Sequence, residues 1–168
     1  RDQGIVGLDL AGDEKRYPAH RFADIFRYAR SEGLHVTIHA GEAGGPENVA
    51  EAVRELGAER VGHGVRSVED RRVLRLLRER NVTLEICPTS NIQTGIVQRF
   101  WHHPLPDLLA YNVPVSINTD DPSISDTTLT DEYRIAMAAM GVTLDQIKQS
   151  ILTAAEASFR PTDGRQRL

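Results

Sequence analysis

Short apolar runs alternate with amphipathic stretches along this chain, the pattern of strands joined by helices into a parallel sheet or barrel. The runs Ile5 to Leu10, Leu34 to His39, Arg60 to His63, Val82 to Cys87 and Val113 to Asn118 predict five strands. Three of these are nearly continuously apolar, as expected of strands covered on both faces. Between them, Phe22, Ile25, Phe26 and Ala29 recur at helical spacing and define one buried stripe. Val49, Val53 and Leu56 define a second, and Val73, Leu76 and Leu77 a third. Ser67 with Asp70, and Thr143 with Gln146, approach the capping-box spacing and predict helix starts. The second opens a helix over 145–158 that turns Ile147, Ile151 and Ala154 inward, while Leu129, Tyr133 and Ala136 predict a helix over 129–140.

No Pro/Gly/Ser linker, low-complexity segment or close repeat interrupts the pattern, so residues 1–168 read as one domain. A closed (β/α)8 barrel needs eight strands and typically about 250 residues. Five βα units in 168 residues, opening on Arg rather than Met, predict that an amino-terminal portion lies outside this sequence. Hydrophobic residues at 40% and charged residues at 26% fit an ordinary globular domain. A net charge of -4 without Lys/Arg runs argues against nucleic acid as a partner and for a small-molecule substrate. No apolar run approaches the roughly 20 residues that span a bilayer, and the first residues lack a signal pattern, so neither membrane insertion nor secretion is expected and the predicted location is the cytoplasm. With Cys87 as the single cysteine, an internal disulfide is excluded and any metal must be held by histidine and carboxylate. Cys87 itself reads as a small buried hydrophobe.

The chemistry-bearing residues sit where apolar runs stop. His39-Ala40-Gly41-Glu42 follows Val36-Thr37-Ile38, and there an imidazole could bind zinc while a nearby carboxylic acid donates a proton. A histidine packed under a loop and a surface glutamate are the ordinary alternative. His63, flanked by Gly62 and Gly64, recurs 24 residues later at the next strand end, which favours a shared site over a core histidine bonded to a carbonyl. Asp120 and Asp121 end the fifth run, and two such carboxylates, if buried, call for a cation; an exposed Asp-Pro turn is the alternative. Asp120 reads as a metal ligand and Asp121 as a substrate hydrogen-bonding group. Gly12 could present its backbone N–H to a flat ligand, and Thr89-Ser90-Asn91 could face the site or cap a loop. His20, His35, His102 and His103 lack a strand-end placement and read as structural or exposed.

Together, Asp9-Leu10-Ala11-Gly12-Asp13-Glu14, His39-Ala40-Gly41-Glu42, Arg60-Val61-Gly62-His63-Gly64, Leu84-Glu85-Ile86-Cys87-Pro88-Thr89-Ser90-Asn91 and Ser116-Ile117-Asn118-Thr119-Asp120-Asp121-Pro122 resemble the adenosine, adenine and AMP deaminase family, in its order and over nearly the whole chain. Thr94 and Gly95 after Thr89-Ser90-Asn91 bring the likeness closest to the bacterial adenosine deaminases. The resemblance implies an α/β fold, a zinc-dependent TIM barrel to which this chain supplies strands four to eight, and deamination of adenosine and 2′-deoxyadenosine to inosine and ammonia in purine salvage. It implies that one Zn2+ is held by His39 and Asp120, that His63 orients and helps deprotonate the attacking water, and that Glu42 protonates purine N1. It also implies that Asp121 holds N7 and that the Gly12 N–H meets N3. The family's first strand supplies two further zinc ligands as His-x-His, a pattern absent here. The 168 residues alone are therefore expected to be inactive without that strand, which a separate amino-terminal piece could provide. Adenine or aminodeoxyfutalosine deamination by the same chemistry, or purine binding without turnover, are the alternatives.

Overall fold

The computed structural model describes residues 4–160. Its five strands, β1 (Gly7–Leu10), β2 (His35–Ala40), β3 (Arg60–His63), β4 (Thr83–Ile86) and β5 (Val115–Ile117), form one sheet in the order β1-β2-β3-β4-β5, every pair parallel. Each strand lies beside its sequence neighbour, the arrangement of five consecutive strands in the wall of a (β/α)8 barrel. Helices α1 (Ala23–Ser31), α2 (Pro46–Glu51, continued by a π-helical stretch Ala52–Leu56), α3 (Arg71–Glu79) and α5 (Leu105–Ala110) fill the first four crossovers, with the short α4 (Pro88–Gln93) preceding α5. After β5 come α6 (Pro122–Ser125), α7 (Leu129–Met140) and α8 (Leu144–Ala157). None of the described helices is long and apolar enough to cross a membrane.

Successive strand residues point to opposite faces, and the two faces differ in chemistry. Val36, Ile38, Val61, Leu84, Ile86, Val115 and Ile117 are buried in one apolar core with Val49, Leu56, Leu77, Leu105 and Leu108 of the helices. The other face carries Asp9, Thr37, His39, Arg60, Glu85 and Ser116 in register across the strands. There, Arg60 donates from Nε to Thr37 Oγ1 at 3.0 Å, lies 3.4 Å from Glu85 Oε1, and stacks its guanidinium 3.9 Å over Phe159, which also stacks on His35. Polar side chains therefore line the barrel-facing side, and the reactive ones emerge at the strand carboxyl ends.

Local expectations hold where the core enforces them and shift at element starts. β1 begins at Gly7 rather than Ile5: Ile5 and Val6 are exposed, and Val6 only contributes its carbonyl, which accepts from His35 N–H at 3.0 Å. Ile25 is exposed, because Phe22 belongs to a 3-10 turn before α1 and the turn's tighter winding breaks the stripe, leaving Phe26 and Ala29 inward. Asp70, not Ser67, caps α3 by accepting from Arg72 N–H at 2.8 Å, while Ser67 lies buried in a preceding 3-10 turn. The Thr143–Gln146 capping box forms as expected at the start of α8. That helix, however, buries Ile147 and Ser150 and leaves Ile151 and Ala154 exposed, since Ser150 Oγ must face β5 to accept from Ile117 N–H at 3.1 Å. In α7 the inward residues are Glu132, Ala136 and Met140, with Leu129 exposed and Tyr133 packed at the core margin.

Candidate active site

Strand ends β2, β3 and β5 bring His39, Glu42, His63 and Asp120 to one place. His63 is almost fully buried, and its Nε2 lies 3.6 Å from Glu42 Oε2 and 3.8 Å from Asp120 Oδ2. The His39 and His63 rings meet edge to face with centroids 5.3 Å apart. Register explains the approach: His39 pairs with Gly62, and a Cβ on Gly62 would stand 3.0 Å from the His39 ring. Glycine there makes room for the imidazole. His63 and Asp120 both hold left-handed backbone, each with φ near 60°, which costs energy for residues with a Cβ and turns both side chains off the strand direction.

The surrounding hydrogen bonds aim these groups. Asp9 Oδ1 lies 3.4 Å from His39 Nδ1, and this bond, against the opposing effect of burial, raises the His39 pKa above its usual value. It engages Nδ1, the carboxylate–imidazole arrangement common behind metal-binding histidines. Ser90 Oγ donates to Asp120 Oδ2 at 2.7 Å and leaves Oδ1 for other partners. For His63, burial is the largest influence and lowers the pKa, although Glu42 opposes it. Glu42 Oε1 is buried with no hydrogen-bond partner among the described residues, an orphaned acceptor beside His63.

The loop that presents Glu42 is organised by a second carboxylate. Glu14 accepts from Gly41 N–H and Glu42 N–H at 2.9 Å each, from Gly44 N–H, and from Asn48 Nδ2 at 3.2 Å. Gly41 permits this wrap: its φ is +69°, and a Cβ would stand 2.4 Å from Val49 Cγ2. Gly12 borders a cavity of about 160 Å³ shared with Leu10, Glu14, Tyr17, Phe22 and His39, and a Cβ there would meet no atom within 4 Å. Asp121 is exposed, and its Oδ1 caps α6 by accepting from Ser123 and Ile124 N–H. Asp120 is likewise partly exposed, so the expected burial of an aspartate pair is not what draws a cation here.

The donor chemistry nevertheless fits a divalent metal. His39 and Asp120 offer an imidazole nitrogen and a carboxylate oxygen, and Asp9, Glu42, Glu85 and Asp120 crowd negative charge around two imidazoles. Among the described residues, His63, Cys87 and Asp120 also place ligand atoms within 4.8 Å of one another. Burial pushes the Cys87 thiol far above its ordinary pKa, and its Sγ donates to Glu85 O at 3.4 Å. Asp120 also acts on His39 through its charge, which brings a second imidazole within the influence of the same carboxylate.

Of the two readings open for Ser90 and Asn91, the structure bears out the one in which they face the site, and Glu14 is its organising anion. His103 is buried and joined through Asn91 to His63, whereas His20 and His35 pair with Glu51 and Glu59 away from the site and His102 is exposed. Nothing in the spacing of His103 and Glu14 assigns them these roles, because their partners are distant in sequence.

Comparison with known proteins gives a consistent answer. A family model described as adenosine deaminase matches residues 1–168. Adenosine deaminase of Escherichia coli strain K12 is 46% identical over 159 residues, covering 95% of this chain and 47% of that protein. The crystal structure of an adenine deaminase from Arthrobacter aurescens superposes with a TM-score of 0.93 at 29% identity, over 97% of this chain and 50% of the other. An Arabidopsis N6-methyl-AMP deaminase superposes with a TM-score of 0.87 at 28% identity, over 99% of this chain and 49% of its own. The chain spans about half the length of the curated relatives it matches.

Proposed function

Because this chain belongs to the adenosine deaminase family, we propose that residues 1–168 form the carboxyl-terminal part of a single barrel domain that hydrolyses the 6-amino group of adenosine and 2′-deoxyadenosine. The products are the inosine nucleoside and ammonia, a purine salvage reaction. The observation that carries the proposal is the cluster of His63 with Glu42 and Asp120, in which Glu42 Oε1 is buried and has no partner among the described residues. That oxygen is where a protonated carboxylic acid would meet purine N1. Protonating N1 makes C6 electrophilic, and attack by water at C6 followed by loss of ammonia completes the exchange.

His39 and Asp120 would hold a single Zn2+, with the remaining ligands coming from strands beyond these residues. When bound, zinc supplies Lewis acidity that lowers the pKa of water from 15.7 to about 7. Around it, Asp9 orients His39, Ser90 orients Asp120, and His63 orients the attacking oxygen. Gly12 N–H, at the open cavity wall, meets N3, and Asp121, anchored at α6 through Oδ1, holds N7 through a proton shared with its other carboxyl oxygen. The substrate is a small molecule, and the protein acts in the cytoplasm. Identity favours adenosine over the adenine of the Arthrobacter relative, at 46% against 29%.

The test uses the full-length protein that contains these residues. Adenosine absorbance should fall with one zinc bound, and Glu42→Gln should lose roughly 100-fold or more in kcat while retaining zinc. Unchanged turnover in that variant would refute Glu42 as the acid, and turnover of adenine but not adenosine would replace the substrate.

A further inference from the structure

Behind His63 runs a line of buried groups that ends on the backbone. Leu105 N–H donates to His103 Nδ1 at 3.1 Å. A backbone amide can only donate, so His103 Nδ1 is an acceptor and the proton of the neutral ring sits on Nε2. The ring is neutral near pH 7, since burial pushes its pKa down to about 4. His103 Nε2–H then donates to Asn91 Oδ1 at 3.3 Å. With its oxygen so engaged, Asn91 turns its amino group to His63 and donates from Nδ2 to His63 Nδ1 at 3.2 Å. Flipping the Asn91 amide would set an N–H against the N–H of His103, so the line has one self-consistent polarity. Asn91 is fully buried and His103 is 4% exposed, so no solvent relieves a mismatch.

We infer that Asn91 and His103 are positioning residues that hold His63 as the tautomer with its proton on Nε2, directed at the space between Glu42 and Asp120. The inference rests on the deaminase reading and narrows it. His63 meets the attacking oxygen as a hydrogen-bond donor, and its Nδ1 lone pair, held by Asn91, is turned away from the site. With its proton on Nε2, the ring orients that oxygen and has no free lone pair there with which to take its proton.

The test is carried out on the full-length protein, with 15N-labelled histidine and without substrate, so the tautomer is read independently of turnover. In the wild type, His63 should show an unprotonated Nδ1 and a protonated Nε2. Asn91→Asp keeps the shape and the bond from His103 but places an acceptor at His63 Nδ1, so the His63 ring should acquire a proton there. Its kcat should fall roughly 10- to 100-fold, as for other outer partners of a metal site, with KM changing far less. A wild-type His63 protonated on Nδ1 alone would overturn the inference whether or not the variant folds. A folded Asn91→Asp protein with full kcat, or with an unmoved tautomer, would overturn it too.

Discussion

Glu14 makes a sharp test of how the Glu42 loop is held. Its carboxylate accepts three backbone N–H bonds, from Gly41, Glu42 and Gly44, and a fourth from Asn48. Oε1 serves Glu42 and Gly44, while Oε2 serves Gly41 and Asn48. In Glu14→Gln the amide oxygen can serve only one of these pairs, and the amino group confronts two donors on the other side. Hydrogen bonds to a charged acceptor contribute about 1.5–3 kcal/mol each, and a buried donor left unpaired costs about 1–3 kcal/mol. Partial exposure of Glu14 and relaxation of the Asn48 side chain reduce the sum, so a loss of about 2–4 kcal/mol is expected in denaturant unfolding of the full-length protein. The loop displacement should also lower kcat, because it moves the Glu42 carboxyl relative to His63. Glu14→Asp, whose side chain is one methylene shorter, should be worse than wild type but retain the charge. A Glu14→Gln protein within about 0.5 kcal/mol of wild type, the scatter of an ordinary surface change, would refute the idea that this carboxylate organises the loop.

Two further outcomes follow from the geometry. Gly62→Ala places a Cβ 3.0 Å from the His39 ring, so with His39 as the proposed zinc ligand zinc affinity should fall with little change in far-UV circular dichroism, as measured by competition with a chelator; unchanged affinity would refute that role or show that the ring can move aside. His103 takes up a proton near 6.5 when unfolded and only near 4 when folded, so the unfolded chain binds more protons between those values and stability declines as the pH falls through them. Relative to His103→Gln, the wild type should lose on the order of 2–3 kcal/mol between pH 7 and 4 in chemical denaturation, and parallel pH profiles would show that the buried ring is free to protonate.

What the sequence determined by itself was the set of strands, their alternation with helices, and the residues at their ends. Those features are local: Val36 to His39 is a strand because its apolar residues need cover on one side, and Thr143 with Gln146 closes a capping box within one turn. His39, Glu42, His63 and Asp120 could be singled out for the same reason, each standing where an apolar run breaks off. The tertiary structure decided how those ends are aimed. Ile151 reads as inward by spacing yet lies outward, because Ser150 answers a donor on a strand 33 residues away. Asp70 displaces Ser67 as a cap because the backbone between them winds into a tighter turn. Glu14, Ser90, Asn91 and His103 act through partners 12 to 34 positions distant, and no periodicity encodes such pairings. A side chain's type is local information, whereas its proton, its tautomer and its partner are set by atoms that only folding brings within hydrogen-bond distance.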